Sequence, residues 1–208
     1  MITFLGDVFL NEEFKLKFEI QEPFIFNLEY PITKNEIGYP NKVNLKCNEN
    51  YIKQTFKINP IAVCLSNNHI LDYNELGFLD TIKILKEENI LYFGAGYEKD
   101  NVNNPLIIEI DNKKIAIFGF TTQSPHPVFA KDNIPGVFDI NVTQIAEEIK
   151  KIKETKQAEK IIISIHWGLD DVYLPIPKDI ETARNLIDAG ADLIIGHHSH
   201  CIQPFEIY

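Results

Sequence analysis

Two neighbouring segments decide the fold: KIIISIHWGLDD, residues 160–171, and ARNLIDAGADLIIGHHSH, residues 183–200. Each contains a short, β-branched apolar run, Ile161–Ile165 in the first and Leu193–Ile195 in the second, which is typical of a strand buried on both faces. The stretch Lys178–Ala189 between them has helical periodicity and is followed by a glycine. Strand, helix and strand in this order predict a βαβ unit, whose parallel strands end at the same edge of a sheet.

Histidines follow both of these strands. His166 comes directly after the first strand, and His197, His198 and His200 come after the second. The βαβ unit therefore brings four imidazoles to one edge of the sheet, where open α/β sheets bind their ligands. Imidazole is a common ligand of transition metals, so we interpret this edge as a metal site.

Other apolar runs also end in polar side chains that can bind metals. Ile2–Leu5 leads to Asp7, Phe24–Leu28 to Asn27 and Glu29, and Ile61–Leu65 to Asn68 and His69. A polar residue after one strand is the rule, because loops are solvated, and a lone histidine there is more often structural. Five such strand ends with oxygen and nitrogen ligands together favour a site for Zn, Mn, Fe or Mg.

The remaining sequence alternates strands and helices and predicts one domain spanning residues 1–208. A helix is expected over Glu75–Glu88, with Leu76, Leu79, Ile82, Leu85 and the adjacent Phe78 on its buried side. Residues 105–118 form a predicted hairpin around Asp111-Asn112, since both residues tolerate left-handed dihedral angles. A second amphipathic helix is expected over Val142–Thr155, and residues 33–50 and 121–137 are expected to be loops.

Composition limits the classes of partner. The 208 residues are 45% apolar and 24% charged, as in soluble globular proteins, and the net charge of −10 argues against nucleic acid or anionic membrane as partners. A single arginine, Arg184, excludes arginine clamps on phosphate. Three cysteines make neither a disulfide framework nor a CxxC zinc site. With no signal peptide and no integral membrane segment visible, the expected location is cytoplasmic.

Six motifs carry a family resemblance: GD at 6–7, NLE at 27–29, SNNHILD at 66–72, GAG at 94–96, HWG at 166–168 and DAGADLIIGHHSHCIQPFE at 188–206. In this order they resemble the CapA family, named for poly-γ-glutamate capsule biosynthesis in bacteria, within the calcineurin-like metallophosphoesterases. The resemblance implies an α/β fold, a four-layer α/β/β/α sandwich of mixed sheets. It also implies a dinuclear metal centre at the C-terminal ends of the strands.

The resemblance assigns roles to individual residues. The implied metal ligands are Asp7, Glu29, Asn68, His166, His198 and His200, with Glu29 as the bridging carboxylate. The implied catalytic residues are His69, which would protonate the leaving group, and Asp170. The implied substrate-binding or ligand-orienting residues are Asn27, Asn67, Asp72 and His197. Both Asp72 and Asp170 could accept the free N–H of a histidine, although Asp170 stands where the family more often has glutamate.

Some motifs differ from those of ordinary metallophosphoesterases. Those enzymes have Asp-x-His at the first motif, whereas Val8 and Phe9 follow Asp7, and NLE replaces an aspartate-rich second motif. CapA relatives usually continue beyond the histidine motif, so a chain shortened at the C-terminus is expected here. They also commonly carry a membrane anchor, and none is visible in this sequence.

The expected function is that of a metal-dependent hydrolase of the CapA or metallophosphatase type. It would act on a phosphoester or on a capsule- or polyglutamate-related substrate through a dinuclear centre of two divalent ions (Mn, Zn, Fe or Mg). The substrate would be a small molecule or a polymer of anionic or glycan type. One alternative is a non-catalytic metal-binding component of capsule or polysaccharide assembly. A TIM-barrel metal-dependent amidohydrolase also places histidines at strand ends, but it is typically about 250 residues long and lacks such hairpins.

Overall fold

The computed structural model describes residues 1–12, 20–56, 60–100, 103–123 and 126–208. Its strands are β1 (Thr3–Val8), β2 (Phe24–Leu28), β3 (Ala62–Cys64), β4 (Leu91–Phe93), β5 (Ala95–Gly96), β6 (Leu106–Ile110), β7 (Lys113–Thr121), β8 (Gly136–Val137), β9 (Lys160–His166) and β10 (Leu193–His197). Its α-helices are α1 (Glu49–Phe56), α2 (Asn74–Glu87), α3 (Val142–Glu154) and α4 (Pro177–Asp188), with a short 3₁₀ turn at Glu98–Asp100.

These strands form two four-stranded sheets and a small ribbon. The first sheet has the order β1-β2-β3-β4 and is parallel throughout. The second has the order β10-β9-β7-β6, with β6 antiparallel to β7 and the other pairs parallel, so the expected mixed character lies in this sheet. Strands β5 and β8 pair with each other as an antiparallel ribbon.

Three apolar clusters separate four layers. Ile52 of α1 and Phe78 of α2 pack with β2 and β3 on the outer side of the first sheet. Helices α3 and α4 cover the second sheet in the same way, through residues such as Ile149 and Leu186. Between the two sheets lies a third cluster in which Ile25 of β2 meets Ile117 of β7. The layers are therefore α/β/β/α, as predicted.

The βαβ unit and the hairpin are confirmed. Strands β9 and β10 are parallel neighbours joined through α4, and His166 lies opposite His197 at their ends. Asp111 and Asn112 have φ angles of 53° and 61°, the left-handed values that a tight two-residue hairpin needs. Helix α3 begins where predicted, because the Asn141 side chain accepts a hydrogen bond from the Gln144 amide at 3.1 Å.

Three predictions about burial and boundaries were wrong. Strand β10 is the terminal strand of its sheet and is not buried on both faces, and Leu193 is 46% exposed. On α2, Leu76 and Leu79 face solvent, because the side of the helix that contacts the sheet is defined by Phe78, Ile82 and Leu85. The polar stretch 33–50 is followed by an unpredicted helix, α1, whose first two residues fall within it.

No helix within the described ranges combines the length and apolar character needed to cross a membrane.

Candidate metal centre

The carboxyl ends of both sheets converge at the candidate site. In the first sheet Asp7 of β1 pairs with Asn27 of β2, and Glu29 follows β2 directly. In the second sheet His166 of β9 lies opposite His197 of β10, and His198 and His200 follow. Side chains that are far apart in sequence are thus brought together because all four strands are parallel and end on the same side.

Two groups of three side chains could each hold a cation. Asp7, Glu29 and His166 form one group, and Glu29, His198 and His200 form the other, and within each group the ligand atoms lie within 4.8 Å of one another. Glu29 belongs to both groups. One carboxylate between two ligand sets is the arrangement that a bridging ligand of a dinuclear centre requires.

The Oε1 atom of Glu29 is the shared point of these groups. It lies 3.8 Å from His166 Nε2 and 3.6 Å from His200 Nε2, and it is buried with no hydrogen-bond partner among the described residues. Burial, followed by the nearby negative charge of Asp7, raises the pKa of Glu29 to about 8. A buried, unpartnered carboxylate oxygen is costly unless a cation or a proton occupies the adjacent position.

The neighbouring residue Tyr30 contributes to this carboxylate. Its hydroxyl interacts with the Glu29 side chain, and that hydrogen bond opposes the rise in the pKa of Glu29. Burial and the Glu29 charge together raise the pKa of Tyr30, so the phenol stays protonated and acts as a donor.

Asp7 is held in the centre by hydrogen bonds from both sheets. Its Oδ1 accepts a bond from Asn27 Nδ2 at 2.6 Å, and its Oδ2 accepts one from the backbone amide of His198 at 2.9 Å. His200 Nδ1 lies 3.5 Å from Oδ2. Each carboxylate oxygen can accept two bonds, so these contacts orient Asp7 and still leave capacity for a metal.

His166 is a buried neutral imidazole aimed at other candidate ligands. Its Nε2 lies 2.8 Å from the Oδ1 atom of Asn68, and its Nδ1 is 3.4 Å from Asn27 Nδ2. Burial, followed by the proximity of His198 and His197, lowers the pKa of His166 well below its usual value. The neutral form is the one that binds metals.

His198 and His197 differ in their surroundings. His198 Nε2 lies 3.1 Å from Asp170 Oδ1, while its Nδ1 is buried and, within the part of the chain that the structure describes, has no hydrogen-bond partner, so it is available to a cation. His197 contacts Ser164 Oγ through Nε2 at 3.0 Å, and its Nδ1 is 3.5 Å from Asp7 Oδ1. Burial lowers the pKa of both histidines. His197 lies outside both three-residue groups.

The backbone at the histidine motif is strained. His198 has a φ of 90° and His200 a φ of 52°, values that residues other than glycine seldom adopt. Such conformations cost on the order of 1–3 kcal/mol each and persist where the surrounding structure holds them, often at functional sites. Here they aim two imidazoles at Glu29.

The NNH segment after β3 is braced by Asn67. Its Nδ2 donates to Asn27 Oδ1 at 3.1 Å and to the Leu28 carbonyl at 2.9 Å, and its Oδ1 accepts from the amides of His69 and Ile70. Asn67 therefore joins the segment to β2. This contact network explains the position of Asn68 beside His166.

His69 and Asp72 form a pair next to this segment. His69 Nδ1 lies 2.7 Å from Asp72 Oδ2, and the Asp72 carboxylate is fully buried. The ring of Tyr30 packs against the His69 ring with centroids 5.0 Å apart. The predicted site residues are thus all brought to one region of the molecule, with the roles assigned to them remaining predictions.

Three contributors were missed by sequence reasoning: Lys42, Tyr30 and Ser164. Lys42 contacts Asp72 Oδ1 at 2.7 Å. It lies in the polar stretch that was predicted to be a loop, and nothing in the local sequence distinguishes it from the other lysines there. Tyr30 adjoins the NLE motif and Ser164 interrupts the isoleucines of β9, so position next to a motif or a break in an apolar strand could have drawn attention to them.

The donor set fits divalent metal ions. Carboxylate oxygens, an amide oxygen and neutral imidazoles converge, and no described residue forms a hydrogen bond with buried Glu29 Oε1 or His198 Nδ1. Imidazole and carboxylate together suit Zn, Mn or Fe, and no thiolate belongs to either group.

Comparison with known proteins finds relatives that match most of the chain. The capsule biosynthesis protein CapA of Bacillus anthracis is 31% identical over 188 residues, which cover 88% of this chain and 46% of that protein. The chain therefore spans about half the length of this relative.

Solved structures show the same fold. A phosphatase from Mycoplasma pneumoniae superposes with a TM-score of 0.59 at 14% identity, covering 96% of this chain and 64% of that one. The NAD nucleotidase of Haemophilus influenzae gives a TM-score of 0.51 at 21% identity, covering 74% of this chain and 29% of that one. The α/β/β/α sandwich is thus the fold of these phosphatase and nucleotidase structures, as the family resemblance implied.

The family model described as bacterial capsule synthesis protein PGA_cap matches residues 10–208. With nearly the whole chain matched, and with the CapA relative at 31% identity, the chain belongs to the PGA_cap family of bacterial capsule synthesis proteins.

Proposed function

We propose that this protein is a metal-dependent hydrolase with a dinuclear centre bridged by Glu29, acting on a phosphoester or on a capsule- or polyglutamate-related substrate. The observation that carries the proposal is one Glu29 oxygen, Oε1, which is buried, accepts no hydrogen bond from the residues described, and lies close to imidazoles of two separate ligand groups. A carboxylate that served only the fold would be expected to have hydrogen-bond donors at this oxygen.

In this proposal one ion is held by Asp7, Glu29 and His166, with Asn68 adding its amide oxygen. The other is held by Glu29, His198 and His200. Two such ions, when bound, supply an acidic water and a positive charge that stabilises developing negative charge. Asn27 and the His198 amide orient Asp7, while Asp170 orients His198.

His69 is the proposed general acid. Asp72 accepts from Nδ1 of its ring, so Nε2 is left to take up a proton and pass it to a leaving group. The Asp170 side chain is 64% exposed beside His198, so it is also accessible to a substrate.

The substrate class follows from the family and from the charges near the site. The CapA relative is named for capsule biosynthesis, which supports a polymer or a precursor of one. Arg184 pairs with Glu206 at an exposed position rather than at the metal centre. An anionic substrate would therefore be bound through metal ions and backbone donors, not through a guanidinium group.

A non-catalytic role in capsule assembly is the second candidate. It is favoured by the first motif, in which Val8 and Phe9 stand where ordinary metallophosphoesterases have a histidine two residues after the aspartate. In that case the metals would stiffen the strand ends without turnover.

One assay distinguishes these functions. Metal-free protein is reloaded with Mn²⁺ or Zn²⁺ and tested against p-nitrophenyl phosphate, bis-p-nitrophenyl phosphate and a γ-glutamyl anilide, with His69→Ala as the control. Metal-dependent turnover that the His69→Ala variant lacks supports the hydrolase. Two bound metals without turnover of any of these substrates would favour the assembly role.

A further inference from the structure

Lys42 is a lysine that the fold draws inward. It lies in the polar stretch before α1, yet its side chain is only 21% exposed. Its ammonium group contacts two acceptors at the candidate site: Asp72 Oδ1, at 2.7 Å, and the backbone carbonyl of Asn68. The contact with Asp72 is an ion pair, and the contact with Asn68 is a hydrogen bond donated by the ammonium group.

Its partner Asp72 is a fully buried carboxylate with contacts on both oxygens. Oδ2 accepts a hydrogen bond from the Leu45 amide at 2.9 Å and lies 2.7 Å from His69 Nδ1, while Oδ1 faces Lys42. A buried carboxylate without a cation beside it is strongly unfavourable. Lys42 therefore supplies the cation next to the carboxylate that contacts His69.

The second contact of Lys42 is with Asn68, the candidate metal ligand of the NNH turn. Asn68 presents its side-chain oxygen to His166, and its own carbonyl accepts from Lys42. One ammonium group thus links the carboxylate that orients His69 to the backbone of a candidate metal ligand. The same turn is held from the opposite side by Asn67.

From these contacts we propose that Lys42 is a positioning residue. It fixes the orientation of the His69 ring and the position of the Asn68 amide oxygen relative to each other. The charged Asp72 accepts from Nδ1 of His69, so the ring is held with its proton on Nδ1 and with Nε2 free. This inference rests on the proposed function for its catalytic meaning, but the positioning itself exists without substrate or metal.

The chain offers a matched control. Lys46 lies in the same stretch and is similarly exposed, at 26%, and it too contacts a carboxylate, Glu36, and a backbone carbonyl, that of Asn35. Its partners lie outside the NNH turn. Lys46 Nζ also lies 4.8 Å from the centroid of the Tyr73 ring. Lys46→Met therefore removes a carboxylate contact and a carbonyl contact of the same kinds without removing a contact to His69 or Asn68.

The test is the tautomer of His69 in metal-free protein, read from long-range ¹H–¹⁵N NMR spectra of ¹⁵N-histidine-labelled samples and assigned by comparison with His69→Ala. Wild type, Lys42→Arg and Lys46→Met are expected to show the Nδ1–H form. In Lys42→Met the ring is expected to lose this single form and to show mixed or Nε2–H signals.

A second readout is Zn²⁺ affinity measured by calorimetry. It is expected to fall about tenfold in Lys42→Met, as for other residues that orient metal ligands, and to stay within twofold in Lys46→Met. An unchanged His69 tautomer together with unchanged Zn²⁺ affinity in Lys42→Met would overturn the proposal. Neither readout uses turnover, so the positioning role of Lys42 can be supported even if the protein hydrolyses none of the substrates. A result that contradicts the positioning role does not contradict the hydrolase proposal.

Folding is checked by thermal melting of each variant. Should Lys42→Met not fold, Lys42→Gln, which keeps a donor but lacks the charge, is measured in its place. Global unfolding of both variants would assign Lys42 to the stability of the whole fold and would contradict a local positioning role.

Discussion

Nε2 of His200 lies 3.6 Å from Oε1 of Glu29, and the two side chains reach each other from different sheets. Glu29 follows β2 in the first sheet, and His200 follows β10 in the second. The contact exists because the two sheets stack face to face and their parallel strands end on the same side. The candidate metal centre is thus a product of the sandwich rather than of either sheet alone.

Replacing Glu29 should weaken both proposed metal sites at once. Glu29→Gln keeps the shape of the side chain and removes its charge, so both ions lose a shared ligand. We expect Zn²⁺ bound after gel filtration to fall below one equivalent, as measured by elemental analysis. Glu109→Gln, on an exposed position of β6, is the matched control and should retain wild-type metal content. Loss of only one ion in Glu29→Gln would show that Glu29 does not bridge.

Replacing His69 should reduce turnover without reducing metal binding. His69→Ala is expected to retain its metals and to lose a factor of about 10² to 10⁴ in kcat, the usual contribution of a general acid. His166→Ala and His200→Ala should instead lose metal, because both belong to the ligand groups. Metal analysis and steady-state kinetics on all three variants check this. The same metal content in all three would remove the assignment.

The stability of metal-free protein should fall as pH rises from about 6.5 to 8. Glu29 has a pKa of about 8 in the folded protein and an ordinary value of 4.5, so the folded state holds a proton that the unfolded state has lost. The free energy of unfolding therefore decreases with pH in this range. The buried histidines, whose pKa values are lowered, act in the opposite direction but only below about 6.5.

Urea titrations of chelated protein at several pH values measure this dependence. Glu29→Gln cannot titrate, so its free energy of unfolding should vary much less between pH 6.5 and 8. An equal pH dependence in Glu29→Gln and wild type would show that another group is responsible.

The layer between the sheets should control stability. Ile117 of β7 is fully buried there, and Ile117→Ala is expected to lower the free energy of unfolding by about 2–5 kcal/mol through lost burial and a residual cavity. Ile107, on the paired strand β6, is 41% exposed, and Ile107→Ala should change the free energy of unfolding by no more than about 0.5 kcal/mol. Similar losses in both variants, measured by urea denaturation, would contradict the layer assignment.

Strand ends were the part of the site that sequence could predict. Apolar runs ending in Asp7, Glu29, His166 and His198 are local patterns, and parallel topology then places them at one edge. Contacts that depend on the path of a loop could not be predicted. Lys42 reaches Asp72 only because the stretch before α1 folds back over the NNH turn, with the Tyr39 amide bonded to the Asp72 carbonyl at 2.7 Å.

Burial within elements was predicted less well than their type. The isoleucines of β9 are buried, as its apolar run indicated, whereas an equally apolar run in β10 lies at the end of the sheet. An apolar run shows that a strand forms but not how many neighbours it has. Leu76 is exposed on α2 for a similar reason, since the contact face of a helix depends on where the sheet lies.

The most direct test of the central claim is the number of Zn²⁺ ions bound by wild-type protein after chelation, reloading and removal of excess metal. A shared Glu29 between two ligand groups predicts close to two ions per chain. Two ions in wild type, with both reduced in Glu29→Gln, would agree with a dinuclear centre. A single ion, or none at any loading, would contradict it.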